Sequence, residues 1–562
     1  MAEGARAVEL RILDGPNLYF SRPAVKLTVA VPGWLRASEG KIEAVARALG
    51  LAVLEPGGRG TEQRVRAAAR IGAQLTRRIA ERSGGRRLAV RGRTGPEPGQ
   101  VVIAFPWRRR GSAEALGRAV AGALGEVLRR SPSRVVDEMA DLVSAAEPGV
   151  EPAVPDPAIP IVQVTGTNGK TTTTRLLAHI VMTAGKRVGF SSTDGVYRNG
   201  RLVKRGDYSG FGGAAMALAQ DPDVAVLETA RGGILLRGIG VRHNDVAVVM
   251  NVSADHLGLH GVNTVDQLAE VKAIITRITL PHGWAVLNAD DPRVLAMRRH
   301  ATGRPWLFTL DPQHPALREV LSDGGRAMTV LDGWIAWLEG HRTHRLVRAV
   351  DVPITMAGIS SIYTYNALAA SAAALAIGVP GRTVAKGLRT FVLDPERNPG
   401  RANVFELNGV ILVMDYAHNE AGMKGLVEIL QGIRPPRGEI HIAIGTAGDR
   451  TDDILQGFAL QAAIGADHLA IAELVHYLRG RTREDTVAQL RAGARKALKE
   501  NVPAYPDEMS ALRAMLKAAK PGDVVALTAL AKRKEVFRSL RRRGARRLGP
   551  ADIKRLVRRA AA

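Results

Sequence analysis

The segment "VQVTGTNGKTTTTRLL", Val162–Leu177, constrains the fold of this 562-residue chain more than any other feature. Small and β-branched residues run into a glycine-rich turn, after which the pattern becomes helical. In such a turn the backbone N–H groups point out of the helix N-terminus, where the helix dipole also favours an anion. The segment therefore predicts a strand, a phosphate-binding loop and a helix.

Short apolar runs alternate with helical patterns along most of the chain, for example "RVGFSST", "VAVLETA" and "VAVVMNV". This alternation predicts an α/β protein with parallel sheets covered on both faces. We expect a small α/β N-terminal domain at 1–148, a central P-loop domain with a parallel sheet at 158–392, and a Rossmann-like C-terminal domain at 393–562. The proline-rich residues 145–160 predict a stiff linker after the first domain.

The composition excludes several kinds of chemistry. The chain has no cysteine, so disulfides, thiolate zinc sites and cysteine nucleophiles are excluded. No apolar leader is visible at its start, and no run of 18 apolar residues occurs. These features predict a soluble, cytoplasmic protein without a membrane partner.

The net charge of +25 lies mainly at the two ends of the chain. Residues 1–150 carry +10, residues 531–562 carry +11, and the 380 residues between them carry +4. The predicted phosphate loop is thus not set in a broad basic surface, which argues against nucleic acid as a partner. Three interpretations of the Arg-rich tail stay open: a solvated helix, a contact in a homo-oligomer, and a segment that recruits an acidic polymer.

The loop and two later strand ends predict an ATP site with a metal. Lys170 would meet the β and γ phosphates, and the Thr171 hydroxyl would hold Mg²⁺. Glu228 and His256 each follow a predicted strand, and the carboxyl ends of parallel strands share one edge of the sheet. The predicted ATP-binding residues of the loop are Gly166, Thr167, Asn168, Gly169, Lys170, Thr171 and Thr172; the predicted metal ligands include Thr171, Glu228 and His256.

The octet "TGTNGKTT" resembles the loop of the Mur ligase superfamily, ATP-dependent amide ligases, more than a strict P-loop, which has glycine where this chain has Val164. The resemblance implies that a substrate carboxylate takes the γ-phosphate of ATP to form an acyl phosphate, which an amine then attacks. It also implies two Mg²⁺ ions. Lys272, in "LAEVKAII", matches the lysine that is commonly carbamylated in this family and then binds metal, so Lys170, His256 and Lys272 are the expected catalytic residues.

Further motifs in the family's order extend the resemblance over residues 160–530. They imply nucleotide contacts from Asn288 in "NADDP", Asn366 in "TYNALAA", Arg401 in "NPGRANVF" and Asp415 in "DYAHN". They also imply substrate contacts from His418, Asp449, Arg450, Arg479 and Arg481.

Within the superfamily, the segments "STDGVYRNGRLVKRGDYSG", "ETARGGILLRGIG" and "HYLRGRTREDT" are similar to the Mur-like half of cyanophycin synthetases. The N-terminal "ILDGPNLY" resembles the domain that begins those enzymes. Their ATP-grasp domain has no counterpart here, because the proline-rich linker stands in its place. This departure implies that the chain alone does not make alternating aspartate and arginine additions.

The expected partners are an amino acid and a carboxylate or peptide-like acceptor. Arg481 would hold the amino acid's carboxylate, and nearby acidic residues favour a basic amino acid, arginine before lysine. Two alternatives stay open at this point. One is a nucleotide-binding regulatory or scaffold protein without turnover, and the other is an RNA-binding module that uses the Arg-rich ends.

Overall fold

A computed structural model describes residues 4–85, 87–255, 257–396 and 398–562. The strands of its first sheet are β1 (Arg6–Leu13), β2 (Ala24–Ala30), β3 (Arg91–Thr94) and β4 (Gln100–Pro106). They pair antiparallel in the order β1-β2-β4-β3. The accompanying helices are α1 (Pro32–Arg36), α2 (Glu39–Ala48), α3 (Glu62–Arg82), α4 (Arg110–Glu126) and α5 (Pro132–Ser144). Trp34, Ile71 and Phe105 lie in the core between these helices and the sheet.

The second sheet carries the phosphate loop. Its strands are β5 (Ile161–Thr165), β6 (Val188–Ser192), β7 (Gly195–Arg198), β8 (Arg201–Arg205), β9 (Val224–Glu228), β10 (Asn244–Val249), β11 (Thr279–Asn288), β12 (Arg304–Phe308), β13 (Arg326–Leu331), β14 (Trp334–Glu339) and β15 (Arg342–Arg348). The parallel centre has the order β13-β12-β11-β10-β5-β9-β6. β5 and β9 are buried at every position, because helices cover both faces of the sheet.

The helices of this unit begin with α6, which follows β5 directly. They are α6 (Lys170–Thr183), α7 (Phe211–Leu218), α8 (Arg231–Arg237), α9 (Val265–Lys272), α10 (Ile274–Arg277), α11 (Pro292–Ala296), α12 (Pro315–Ser322), α13 (Ser361–Ala376) and α14 (Gly381–Thr390). Because β5 lies between β9 and β10, the loops that follow these three strands meet at one carboxyl edge.

The central sheet is parallel in its middle strands and antiparallel at both edges. β7 and β8 extend one edge as an antiparallel hairpin, and β14 and β15 extend the other. Asn199 and Gly200 form the turn of the first hairpin and have φ values of 48° and 77°. Asparagine and glycine tolerate this left-handed backbone, which matches the twist of paired strands.

The third sheet is also mixed. Its strands are β16 (Asn403–Leu407), β17 (Val410–Asp415), β18 (Ile440–Ile444), β19 (His468–Ala472), β20 (Ala504–Tyr505), β21 (Val524–Thr528) and β22 (Arg546–Arg547). The order is β20-β19-β18-β21-β17-β16-β22, parallel from β20 to β17. The helices are α15 (Glu420–Ile433), α16 (Asp452–Gly465), α17 (Arg483–Arg495), α18 (Glu508–Ala518), α19 (Arg533–Arg542) and α20 (Pro550–Ala561). The predicted α/β fold class is confirmed, whereas the predicted domain boundaries stay a prediction.

The N-terminal unit packs closely on the middle one. Arg237 of α8 forms a salt bridge of 2.6 Å with Asp14. A Cβ atom at Gly15 would lie 1.8 Å from the carbonyl oxygen of Ile239, so a larger residue does not fit there. In the linker, Asp156 binds Arg242 and His243 at 3.0 and 2.9 Å. The second half of the linker is therefore attached to the middle unit.

The Arg-rich tail is folded against the rest of the chain. Ile553 of α20 is buried, and Lys554 forms a salt bridge of 2.7 Å with Asp351 of the middle unit. Strand β22 pairs with β16. The tail thus joins two units of the protein. Across the described parts of the chain, no helix combines the length and apolar character needed to cross a membrane.

Candidate active site

The loop between β5 and α6 has the geometry of an anion site. Gly169 lies just before α6 with φ 86°, and a Cβ atom there would lie 2.5 Å from Oδ1 of Asn366. The loop is also held from β10, because the N–H of Asn168 donates to Oδ1 of Asn251 at 2.8 Å. Glycine is required at position 169 by both the positive φ and the close approach to Asn366. The loop is therefore fixed where α6 presents its free N–H groups.

Lys170 folds back over this loop. Its Nζ donates to the carbonyl oxygens of Gly166 and Thr167 at 3.0 and 2.9 Å. Burial lowers the pKa of Lys170, while the carboxylates of Glu228 and Asp255 act in the opposite direction. A half-buried ammonium group at the start of a helix suits an anionic ligand such as phosphate.

Glu228 ends β9 beside the first turn of α6. Its carboxylate accepts hydrogen bonds from Oγ1 of Thr171 at 2.9 Å and from Oγ1 of Thr193 at 2.7 Å. The N–H of Thr193 adds a third bond at 3.1 Å. The side chain is 2% exposed. These three residues gather hard oxygen atoms of the kind that Mg²⁺ prefers.

Lys272 reaches the same loop from the end of α9. Its Nζ donates to the carbonyl oxygen of Gly166 at 2.8 Å, and the residue is 3% exposed. Burial, followed by the nearby charge of Lys170, holds the pKa of Lys272 well below its usual range. The amine is thus drawn toward its neutral, nucleophilic form. His256, the remaining predicted catalytic residue, lies outside the described residues.

These groups line a cavity of about 640 Å³ between the middle and C-terminal units. The C-terminal wall includes Arg401, Asp415, His418, Asp449 and Arg479. The middle wall includes the predicted loop residues, Glu228, Lys272 and Asn366. Most of the predicted site residues that the structure describes therefore share one space.

The C-terminal wall is built around Asp415. Its Oδ2 accepts from the N–H of Ala402 at 2.7 Å and from the Tyr363 hydroxyl at 3.3 Å. Arg401 stacks on the ring of Tyr416, 4.5 Å from its centroid. A flat guanidinium, a ring and a fixed carboxylate give this wall the groups that recognise a nucleoside.

Three predicted site residues do not line the cavity. Asn288 is held by the backbone, donating to Met250 and accepting from Asp290. Arg450 donates to the carbonyl of Ala447 and to Asp255. Asn288 and the Nη atoms of Arg450 thus bond to groups of the protein itself, outside the cavity.

Arg481 is the third of them. Its guanidinium donates to the carbonyl oxygens of Gly448 and Arg450 at 3.0 and 2.8 Å and pairs with Asp452 and Asp485. It therefore braces the loop before α16. The neighbouring Arg479 lines the cavity and pairs with Asp449 at 2.6 Å.

Sequence reasoning missed several groups that the fold brings to the cavity. Arg231, at the start of α8, and Asp255 both line it, as does Thr193. Asp255 lies 3.6 Å from Nε2 of His418 in the opposite unit. The available signals were the position of Asp255 directly before the predicted His256 and the position of Arg231 three residues after the end of β9.

The two walls are joined by polar contacts. Asn168 and Asn419 exchange amide hydrogen bonds of 3.1 and 3.0 Å. Asn419 also begins α15 by accepting from the N–H of Gly422. Asp194 binds Arg175 of the middle unit and Arg533 of the C-terminal unit at 2.9 and 3.0 Å. The protein thus adopts a closed arrangement with the phosphate loop tied to the C-terminal unit.

Two family models match the chain. The Mur ligase middle domain matches residues 164–374, and the Mur ligase glutamate ligase domain matches residues 400–530. Cyanophycin synthetase of Synechocystis sp. is 43% identical over 317 residues, which are 56% of this chain and 36% of that enzyme. The chain thus spans little more than a third of that relative's length.

More distant relatives cover more of the molecule. The UDP-N-acetylmuramoyl-L-alanyl-D-glutamate–2,6-diaminopimelate ligase of Corynebacterium glutamicum is 27% identical over 429 residues, 73% of this chain and 77% of that enzyme. A bifunctional folylpolyglutamate synthase/dihydrofolate synthase from Yersinia pestis, crystallised with AMPPNP and a Mn ion, shares the fold with a TM-score of 0.50 at 20% identity. That likeness covers 69% of this chain and 90% of that one. Since the two walls of the cavity come from regions that match successive Mur ligase domains, the chain belongs to the Mur ligase family.

Proposed function

We propose that this protein is an ATP-dependent amide ligase that activates a carboxylate as an acyl phosphate and joins it to an amino acid. The supporting observation is one cavity in which the phosphate loop with Lys170, the buried Lys272 and the buried Glu228 face the C-terminal wall. Such an arrangement brings nucleotide, acid and amine together while it excludes water.

The donor set fits magnesium. Glu228 is buried, and within the described residues its hydrogen-bond donors are threonine hydroxyl and N–H groups, with no lysine or arginine in a salt bridge with it. A buried carboxylate is costly unless a cation compensates it. We propose that Thr171 and Glu228 hold one Mg²⁺ and that Lys272, as a carbamate, and His256 take part in holding a second. When bound, these ions supply positive charge against the phosphates.

The chain's own groups would act mainly by position and charge. The N–H groups at the start of α6 and the Lys170 ammonium would stabilise negative charge that spreads over the transferred phosphoryl group. Arg401 and Asp415 would hold the nucleoside end from the opposite wall. The contacts of Asn168 with Asn419 would keep that wall closed while the acyl phosphate exists.

We place the incoming amino acid at the rim formed by Arg479 and Asp449. An arginine can pair with the α-carboxylate of the amino acid, and a carboxylate can pair with a positive side chain. The acceptor carboxylate would lie on the other side, near Arg231 and the phosphate loop. This charge pattern favours a basic amino acid, arginine before lysine.

A release assay for ADP tests this proposal. Purified protein with ATP and Mg²⁺ is screened over pairs of an amino acid and a candidate acid or peptide. We expect ADP release that depends on both partners, with arginine outperforming glutamate. A preference for an acidic or neutral amino acid would rule out a basic amino acid as the substrate but would leave the ligase assignment in place. Absence of release with any pair would favour a nucleotide-binding protein without turnover.

Arg479 and Arg481 form a matched pair for the amino-acid site. Arg479→Ala should raise the KM for the amino acid about 10–100-fold, the equivalent of one charge-assisted hydrogen-bonded pair, with little change in the KM for ATP. Arg481→Ala should instead lower the free energy of unfolding by about 1–3 kcal/mol, because it removes bonds that brace a loop. Steady-state kinetics and thermal unfolding of both variants distinguish these effects. The opposite assignment would follow if Arg481→Ala changed the amino-acid KM and Arg479→Ala did not.

A further inference from the structure

A histidine cluster lies at the amino ends of the C-terminal strands, on the edge of the sheet opposite the phosphate cavity. His441 of β18 and His468 of β19 are partners in the parallel register. Their rings stack with centroids 4.4 Å apart and an angle of 20° between planes. Glu439 directly precedes β18, and its Oε2 lies 3.0 Å from Nε2 of His468. None of these residues belongs to the proposed ligase site.

His441 is the fixed member of this cluster. It is 1% exposed, and its Nε2 lies 3.3 Å from Oδ2 of Asp523. Asp523 is itself held, accepting from the N–H groups of Glu439 and Lys520 at 2.8 and 2.7 Å. The Nδ1 atom of His441 is buried and has no hydrogen-bond partner among the described residues. A buried ring nitrogen without a partner is costly, and a carboxylate on its other nitrogen is the usual support of a metal-binding histidine.

We propose that Glu439, His441 and His468 bind a divalent transition-metal ion of the zinc class, with Asp523 supporting His441. One nitrogen of each ring and one carboxylate oxygen of Glu439 lie within 4.8 Å of one another. Two ligands of a tetrahedral zinc ion are about 3.4 Å apart, since each bond is about 2.1 Å long. The cluster must therefore contract on binding the ion. The side chains of His468 and Glu439 are 53% and 52% exposed and free to supply that movement.

The donor types select the ion. Imidazole favours zinc, nickel and copper, whereas Mg²⁺ prefers an all-oxygen site such as the one at Glu228. An ion here would join the starts of β18 and β19, far from the reacting groups. It would act on the stability of the C-terminal unit and leave the chemistry of ligation to the opposite edge of the sheet.

Calorimetric titration with ZnCl₂ tests the site. The full-length protein is first stripped with a chelator and kept in excess MgCl₂, which competes at the oxygen-rich active site. We expect wild-type protein to bind zinc at this cluster and to gain thermal stability from it. His468→Gln should weaken zinc binding at least about tenfold and remove the gain in Tm, and Asp523→Asn should weaken binding about 10–100-fold through the loss of support for His441.

His341→Gln is the matched control, because His341 is an exposed histidine in the turn between β14 and β15. It should bind zinc as the wild type does. His468 is exposed enough that its replacement should not disturb folding, which far-ultraviolet circular dichroism verifies. Three results would each overturn the assignment. They are equal zinc affinity of the wild type and His468→Gln, failure of the wild type to bind zinc, and loss of zinc binding in Glu228→Gln instead.

Discussion

Lys170→Ala is expected to abolish ATP turnover while the protein stays folded. The Lys170 ammonium lies against the phosphate loop and near the carboxylates of Glu228 and Asp255. A preorganised donor aimed at developing charge typically contributes about 10²–10³-fold to kcat, and we expect a loss of at least that size. The measurement is ADP release with the amino acid and acid found in the screen.

Lys186→Ala is the control for this variant, because Lys186 lies just beyond the end of α6 and is exposed. Its turnover and Tm should equal those of the wild type. Lys170→Ala should keep a Tm near the wild-type value, since the lost side chain contacts loop carbonyl groups and no apolar core. Near-normal ADP release from a folded Lys170→Ala protein would show that phosphate is bound elsewhere.

Lys272→Ala is expected to lose activity and to regain part of it when short carboxylic acids are added. Burial holds the pKa of Lys272 well below its usual range, so a larger fraction of its amine is neutral at a given pH than for a free lysine. A neutral amine can add carbon dioxide and release a proton to become a carbamate, which turns the neutral amine into an anionic oxygen ligand. Acetate or formate in the space left by the truncated side chain would replace that ligand. ADP release at increasing acid concentration measures the recovery.

The rescue has a specific control. Lys170→Ala should not respond to the same acids, because its missing group is a cation and not a carboxylate. In acid solution the Lys272 amine becomes protonated, so carbamate formation and activity should fall together as the pH decreases through its pKa. Native mass spectrometry of the active, Mg²⁺-bound wild type provides the decisive observation. An unmodified Lys272 in that species would remove the carbamate from the mechanism.

The fold was predictable where local pattern and burial agree. β5 and β9 are continuous apolar runs, and parallel strands buried on both faces need that composition. The antiparallel hairpin of β7 and β8 was not predicted, although Asn199 and Gly200 are a strong hairpin signal. β8 is exposed at every position, so it lacks the apolar alternation on which strand prediction depends.

For the candidate site, the position of a residue at the end of a predicted strand was a better guide to its place in the cavity than the chemical type of its side chain. Glu228 is the last residue of its strand, and the shared carboxyl edge of the sheet brings it to Thr171. Arg481 was expected to meet the amino acid, but the loop directs its guanidinium toward carbonyl groups and leaves Arg479 at the rim. The pairing of Asn168 with Asn419 joins residues 251 positions apart, and no local pattern indicates such a contact.

The attachment of the N-terminal unit to the middle unit determines which unit can move to open the cavity. The N-terminal unit is held on the middle unit at Asp14 and Gly15, and the linker is held there at Asp156. The surface between the middle and C-terminal units combines polar contacts, such as that of Asn168 with Asn419, with close packing of Ile359 and Ile362 on glycines of α15. Substrate entry and product release would then both require the C-terminal unit to move away from the middle unit. The rate of that opening would set an upper limit on the turnover rate, however fast the bond-forming steps are.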